Sequence, residues 1–126
     1  MMRFTFKKIE KLKSKKLIEQ LFENGSSLSQ YPIRMVYLKI EHLSNSPIQA
    51  SFSVSKRKFK KAVDRNRIKR LMREAYRQHK HILYQNVNDK HIIMFTYIDE
   101  KEHKYVDIEE KMILLLNKFI EKTKNQ

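Results

Sequence analysis

Six side chains within nine residues set the chemical question: Arg65, Asn66, Arg67, Lys69, Arg70 and Arg73. Arginine presents a planar fork of donors that matches phosphate oxygens and base edges. A carboxamide such as Asn66 can reach a base edge or sugar hydroxyl and supply register that charge alone lacks. The six lie inside residues 56–80, which hold twelve basic residues (Lys56, Arg57, Lys58, Lys60, Lys61, Arg65, Arg67, Lys69, Arg70, Arg73, Arg77, Lys80) against Asp64 and Glu74. One fifth of the chain thus carries +10 of its formal +14. A merely solubilising surface mixes the two signs, whereas this one is nearly all positive and points to a polyanion. Arg65, Lys69, Arg73 and Arg77 recur at every fourth residue and form one row if the segment is helical, with Arg67 and Arg70 beside it. Each like-charged pair in such a row costs about 0.2–0.5 kcal/mol in water, a cost that phosphates would remove.

Side chains able to run a reaction alone are not signalled. The five histidines (His42, His79, His81, His91, His103) have no metal-ligand spacing and read as surface or core residues. Glu109 with Glu110, and Asp99 with Glu100, are adjacent carboxylates on a helix start and a turn, with no predicted pocket to shift their pKa values. No serine has a recognisable base or oxyanion hole. Zero cysteines exclude disulfides and thiolate metal sites and fit a reducing compartment, and a single glycine excludes a glycine-rich phosphate loop. The chain reads as a binder.

The elements that must position the basic residues follow from periodicity. Ala62, Val63, Ile68, Leu71, Met72, Ala75 and Tyr76 fall largely at three- and four-residue steps and predict a helix from Ala62 with these residues inside. Before it, Ile48, Ala50, Phe52 and Val54 alternate with Gln49, Ser51 and Ser53, a strand with one buried face. IRMVYLKI at residues 33–40 is a second strand, and the polar loop at 41–47 predicts that the two form an antiparallel hairpin. Leu12, Leu17, Ile18, Leu21 and Phe22 mark a helix over residues 14–23, with Ser14 as cap and Gly25 as a left-handed stop. Residues 84–90 read as a polar connection. HIIMFTY at 91–97 is a continuous apolar run, as in a strand covered on both faces, and completes a β-α-β unit. Asp107 and Glu110 signal a last helix, whose stripe is Ile108, Met112, Leu115, Leu116, Phe119 and Ile120; it should pack on the sheet.

The string SVSKRKFKKAVDRNRIKRLMREAYR at residues 53–77 closely resembles the signature of the bacterial ribonuclease P protein component. The hallmark is Arg-Asn-Arg, a hydrophobic residue and Lys-Arg, here Arg65, Asn66, Arg67, Ile68, Lys69 and Arg70, preceded by the strand end Val54, Ser55, Lys56 and Arg57. The similarity extends, less tightly, over most of the chain. It implies an α+β two-layer sandwich of αβββαβα-type order with a central mixed sheet and a left-handed βαβ crossover, where pattern alone favours the right-handed form. It also implies a protein subunit of ribonuclease P, with partners the ribonuclease P RNA subunit and precursor tRNA and no protein partner required. The RNA subunit would cleave the precursor at the mature 5′ end using Mg2+ held mainly by the RNA, and no catalytic side chain is expected here. The RNA-binding residues implied are Lys56, Arg57, Lys60, Lys61, Arg65, Asn66, Arg67, Lys69, Arg70 and Arg73. A cleft for the 5′ leader is implied at Ile18, Phe22, Val36 or its neighbour Tyr37, and Ser53, with Ile18 standing where the family has an aromatic residue.

The bounds agree with this reading. At 126 residues one domain, 1–126, is expected. Residues 1–16 lack a signal-peptide run and no stretch could span a membrane, so a cytoplasmic protein with no membrane partner is expected. The alternative is a general basic RNA-binding or ribosomal protein. A DNA-binding regulator would be all-helical or dimeric, and a self-sufficient nuclease would need the carboxylate or histidine cluster that is missing.

Overall fold

The computed structural model describes residues 6–42 and 45–124. A short 3-10 turn at Lys8–Glu10 is followed by α1 (Lys15–Asn24), β1 (Ser26–Gln30), β2 (Ile33–Lys39), β3 (Ile48–Val54), α2 (Ala62–His79), α3 (His81–Tyr84), β4 (His91–Tyr97) and α4 (Tyr105–Lys124). This is the αβββαβα order with one short helix, α3, added between α2 and the polar connection expected at 84–90.

The four strands form a mixed sheet in the order β1-β2-β4-β3. β4 runs antiparallel to β2 and parallel to β3, so the expected β2–β3 hairpin is not formed. The reason lies in β4 itself: six of its seven residues are buried, and so apolar a strand reaches that state only with neighbours on both edges and cover on both faces. β2 and β3 take the two edges. The remaining strand, β1, reads SSLSQ and is largely exposed. It pairs with β2 at the sheet margin, which explains why no apolar alternation marks it.

Strand alternation divides the core. Met35, Tyr37, Ala50, Phe52, Ile93 and Phe95 point to the side holding α2 and α4, where Ile68, Met72, Tyr76, Met112, Leu115 and Phe119 meet them. Phe52 stacks on Phe95 at 5.5 Å, and Tyr76 packs 5.3 Å from the Phe95 ring. Such aromatic contacts add about 0.5–1.5 kcal/mol each beyond area burial. On the opposite side, Val36, Ile92 and Met94 are covered by Leu12 and Leu21, with Leu17 and Ile18 beside them. Thus α2 and α4 build the sandwich with the sheet, and α1 crosses the other face.

Two local expectations need correcting. Gly25 ends α1 with φ −74° and ψ 157°, extended rather than left-handed. What requires glycine is close approach, since a Cβ there would lie 2.3 Å from the Leu21 carbonyl oxygen and 3.0 Å from Val36 Cγ1. Ala62 is exposed and Val63 is 68% exposed, so neither is part of the buried α2 stripe; for Val63 the helix period gives the reason. It precedes Met72 by nine residues, two and a half turns at 3.6 residues per turn, and so lies on the opposite side of the helix. In α4 the expected stripe is buried throughout. The helix begins two residues before Asp107, which therefore sits in its first turn, where a carboxylate suits the helix dipole.

Candidate RNA-binding surface

Between β3 and α2 the chain makes a tight loop whose interior anchor is Phe59. Its ring is buried against Tyr97 at 5.9 Å, and its N–H donates to the Ser55 carbonyl at 3.0 Å. Ser55 Oγ also accepts from the Arg57 N–H at 3.1 Å. With Phe59 held inward, Lys56, Arg57, Lys60 and Lys61 are exposed. Lys58 instead turns back and donates to the Ile98 carbonyl at 2.6 Å.

The helix side chains sort by what they touch. Arg65 Nη1 donates to the Phe59 and Lys60 carbonyls, both at 2.8 Å, fastening the loop onto the first turn of α2. Arg67 pairs with Asp64 and, through Nε at 3.2 Å, with Glu102. Arg70 and Asn66 are exposed, Lys69 is half-buried, and the exposed Arg73 guanidinium lies 5.9 Å from the Phe52 ring centroid. Arg77 forms a bidentate pair with Glu74 at 3.0 and 2.5 Å. Hydrogen bonds from Arg77, then Gln78, pull the Glu74 carboxyl down to a pKa of about 2. Lys80 is 5% exposed and paired with Glu10. The row Arg65, Lys69, Arg73 and Arg77 therefore does not act as one unit, because its two ends are bonded within the protein. The surface open to a partner is Asn66, Arg67, Arg70 and Arg73, adjoining the loop lysines and Arg57.

The expected cleft residues are divided by the sheet. Val36 lies on the α1 side with Ile18, and Phe22 is 59% exposed on α1. Tyr37 points the other way, its ring 4.9 Å from Phe119. Val36 thus shares a side with α1 and Tyr37 does not. Ser53 faces the α1 side opposite Thr96 of β4, and register places Arg34 and Thr96 together on that same face. Arg34 and Thr96 are not visible as site candidates until the strand order is known; period-two alternation then identifies them.

Elsewhere several titratable groups are buried or paired within the fold. His42 and His91 are buried, and burial pushes both below the ordinary histidine range. His79 meets Glu109 at 2.9 Å, and His103 meets Asp99 at 2.6 Å. Contrary to expectation the Asp99 carboxyl is shifted, held well below the carboxylate range by His103 first, and by Tyr31 and backbone N–H donors. It is a fixed anion, unsuited to proton transfer near neutral pH. Among the described residues no group of three or more His, Asp or Glu side chains is placed to hold a metal ion, and no helix is long and apolar enough to cross a membrane.

A family profile described as Ribonuclease P matches residues 6–120. The chain belongs to the ribonuclease P protein family. It is 35% identical over 113 residues to the Ribonuclease P protein component of Porphyromonas gingivalis, a match covering 86% of this chain and 82% of that one. The RNase P protein from Thermotoga maritima superposes with a TM-score of 0.70 at 20% identity, over 86% of this chain and 96% of that structure. For the Staphylococcus aureus RNase P protein the TM-score is 0.66 at 19% identity, over 87% and 94%. These structures share the fold. As a ribonuclease P protein, the chain is a component of an endoribonuclease ribonucleoprotein of tRNA processing, and its partner is RNA.

Proposed function

We propose that this chain is the ribonuclease P subunit that docks on the catalytic RNA through α2 and the loop before it, and holds the 5′ leader of precursor tRNA on the α1 side of the sheet. The observation that carries the first half is the continuous exposed set Lys56, Arg57, Lys60, Lys61, Asn66, Arg67, Arg70 and Arg73, a cationic surface with one carboxamide for register. Arg65 contributes by fixing the loop, and Lys69 from the flank. The second half is supported by Ile18, Val36 and Ser53 sharing a side with the exposed ring of Phe22, which can stack on an unpaired base. Only the precursor has a leader, so a leader site widens the difference between substrate and product. Mg2+ and the chemical step belong to the RNA subunit, with the protein offsetting repulsion between crowded phosphates. We read 1–126 as one RNA-binding domain working in the cytoplasm.

The test is single-turnover cleavage of a leader-bearing precursor tRNA by a bacterial ribonuclease P RNA at limiting magnesium, with and without the protein, beside a protein-alone lane. Cleavage at the mature 5′ end that is stimulated by the protein and absent from the protein-alone lane is expected. Binding to structured RNA with no stimulation would overturn the assignment.

A further inference from the structure

Strand β3 is an edge of the sheet, and the segment at 6–12 lies along its outer side. Lys11 forms a parallel bridge with Ala50, and the Leu12 N–H donates to the Ala50 carbonyl at 2.9 Å. Gln49 Nε2 donates to the Ile9 carbonyl at 3.3 Å. Glu10, buried and paired with Lys80, also accepts from the Lys7 N–H at 2.7 Å. That last bond fixes the backbone next to Phe6, whose side chain packs against the core on the α2 side of the sheet.

There Phe6 completes an aromatic cluster. Its ring meets Phe52 and Tyr76 edge-on, each at 5.8 Å. Phe52 in turn stacks on Phe95 at 5.5 Å and meets Tyr76 at 5.9 Å. Phe95 and Tyr76 are fully buried, so the half-buried Phe6 is the contact that closes Phe52 at the sheet margin. The exposed Arg73 guanidinium lies over the same Phe52 ring, 5.9 Å from its centroid, where the negative face of the π-system attracts a cation. Arg67 and Arg77 are held by carboxylates, whereas among the described residues no carboxylate pairs with Arg73. Its orientation is set by the ring. A long side chain loses rotamer freedom when it is ordered on binding, and a guanidinium already resting on a fixed ring has given up part of that freedom beforehand.

We propose that Phe6 is a positioning residue for RNA binding: from the outer side of β3 it fixes the Phe52 ring on which Arg73 rests, so that the guanidinium is preset for a phosphate of the RNA subunit. The inference rests on the reading of Arg73 as part of the docking surface and adds to that surface a support from outside α2 and its loop.

The test is a double-mutant cycle on the affinity of the full chain for a bacterial ribonuclease P RNA, comparing the parent with Phe6→Ala, Arg73→Ala and F6A/R73A. Each affinity is corrected for the folded fraction measured by denaturant unfolding. R73A is expected to weaken binding about five- to tenfold and F6A about two- to threefold, while the double variant should bind no more weakly than R73A alone. The NMR resonance of the Arg73 Nε–H, displaced by the Phe52 ring in the parent, should move toward the position of a solvated arginine in F6A. Ile120→Val, a mild loss of packing on α4, should leave both the affinity of the folded fraction and that resonance as in the parent. Phe6→Leu keeps the apolar volume and removes the ring, and carries the same cycle if F6A is too unstable to assay. Additive losses in the double variant, an unmoved Arg73 resonance, or an F6A affinity equal to the parent's beside a weakened R73A would each overturn the proposal. An unchanged affinity in R73A itself would overturn the reading of Arg73 as an RNA contact.

Discussion

The basic stretch that dominates this chain is two regions with opposite uses of the same charge. From Lys56 to Arg73 the cations include Lys56, Arg57, Lys60, Lys61, Arg70 and Arg73, all exposed, with Asp64 the one acidic residue in the segment. Beyond Arg73 the basic side chains meet carboxylates of the protein itself: Arg77 with Glu74, His79 with Glu109, and Lys80 with Glu10. Lys80 and Glu10 sit in a buried cluster completed by Tyr84, whose hydroxyl donates to Glu10 at 2.7 Å. The difference teaches that charge count does not measure a binding surface. Apart from Arg65, which fastens the loop, and the half-buried Lys69, cations in the N-terminal half of α2 stay exposed for a partner, while at its C-terminal end Lys80 holds the helix to the N-terminal segment and His79 holds it to α4.

The largest effect should come from breaking the buried end. Lys80→Met leaves Glu10 as an uncompensated buried carboxylate and should destabilise the fold by about 3–5 kcal/mol, measured by denaturant unfolding. The RNA affinity of the folded fraction should be unchanged. Acid should act on the same pair in the parent. Burial raises the Glu10 pKa, but hydrogen bonds from Lys80 and Tyr84 outweigh it and hold it below the ordinary 4.5. A depressed carboxylate pKa contributes stability that is complete above the unfolded value and fades as pH falls through the folded one. Unfolding free energy should therefore decline below about pH 4.5, and much less so in Lys80→Met.

Next comes the exposed end. R67A/R70A should leave the unfolding midpoint nearly unchanged and weaken binding to ribonuclease P RNA by roughly 10- to 100-fold. The slope of log affinity against log salt should flatten by about 0.7–0.9 for each phosphate contact removed. A loss of affinity with an unaltered slope would mean that these arginines act through shape rather than charge.

The smallest effect sharpens the boundary between the two regions. Arg67 belongs to the exposed end yet is paired with Glu102, an exposed partner whose interaction is worth about 0–1 kcal/mol. Glu102→Gln should leave Arg67 with Asp64 as its one carboxylate partner and tighten RNA binding about twofold at low salt, with the gain vanishing as salt rises. Weaker binding would instead show that Glu102 holds Arg67 in its productive orientation.

Much of this was written locally. The alternation Ile48, Ala50, Phe52, Val54 marks β3, the run HIIMFTY marks β4, and the stripe from Ile108 to Ile120 marks the buried side of α4. The Arg65–Arg70 hallmark, set between a strand end and a helix, was enough to indicate the family and the basic surface. Those signals survive because strand and helix periods are properties of neighbouring residues. What tertiary structure alone decided were relations across long separations. Strand β4 enters between β2 and β3, so no hairpin forms, and the resulting register puts Val36 on the α1 side and Tyr37 on the other. Glu10 arrives from seventy residues away to neutralise Lys80, and Glu102 arrives to meet Arg67. Sequence determined which residues are cationic and that they share a helix. Which of them remain available to RNA depends on where distant carboxylates come to rest, and that is fixed only when the sheet is assembled.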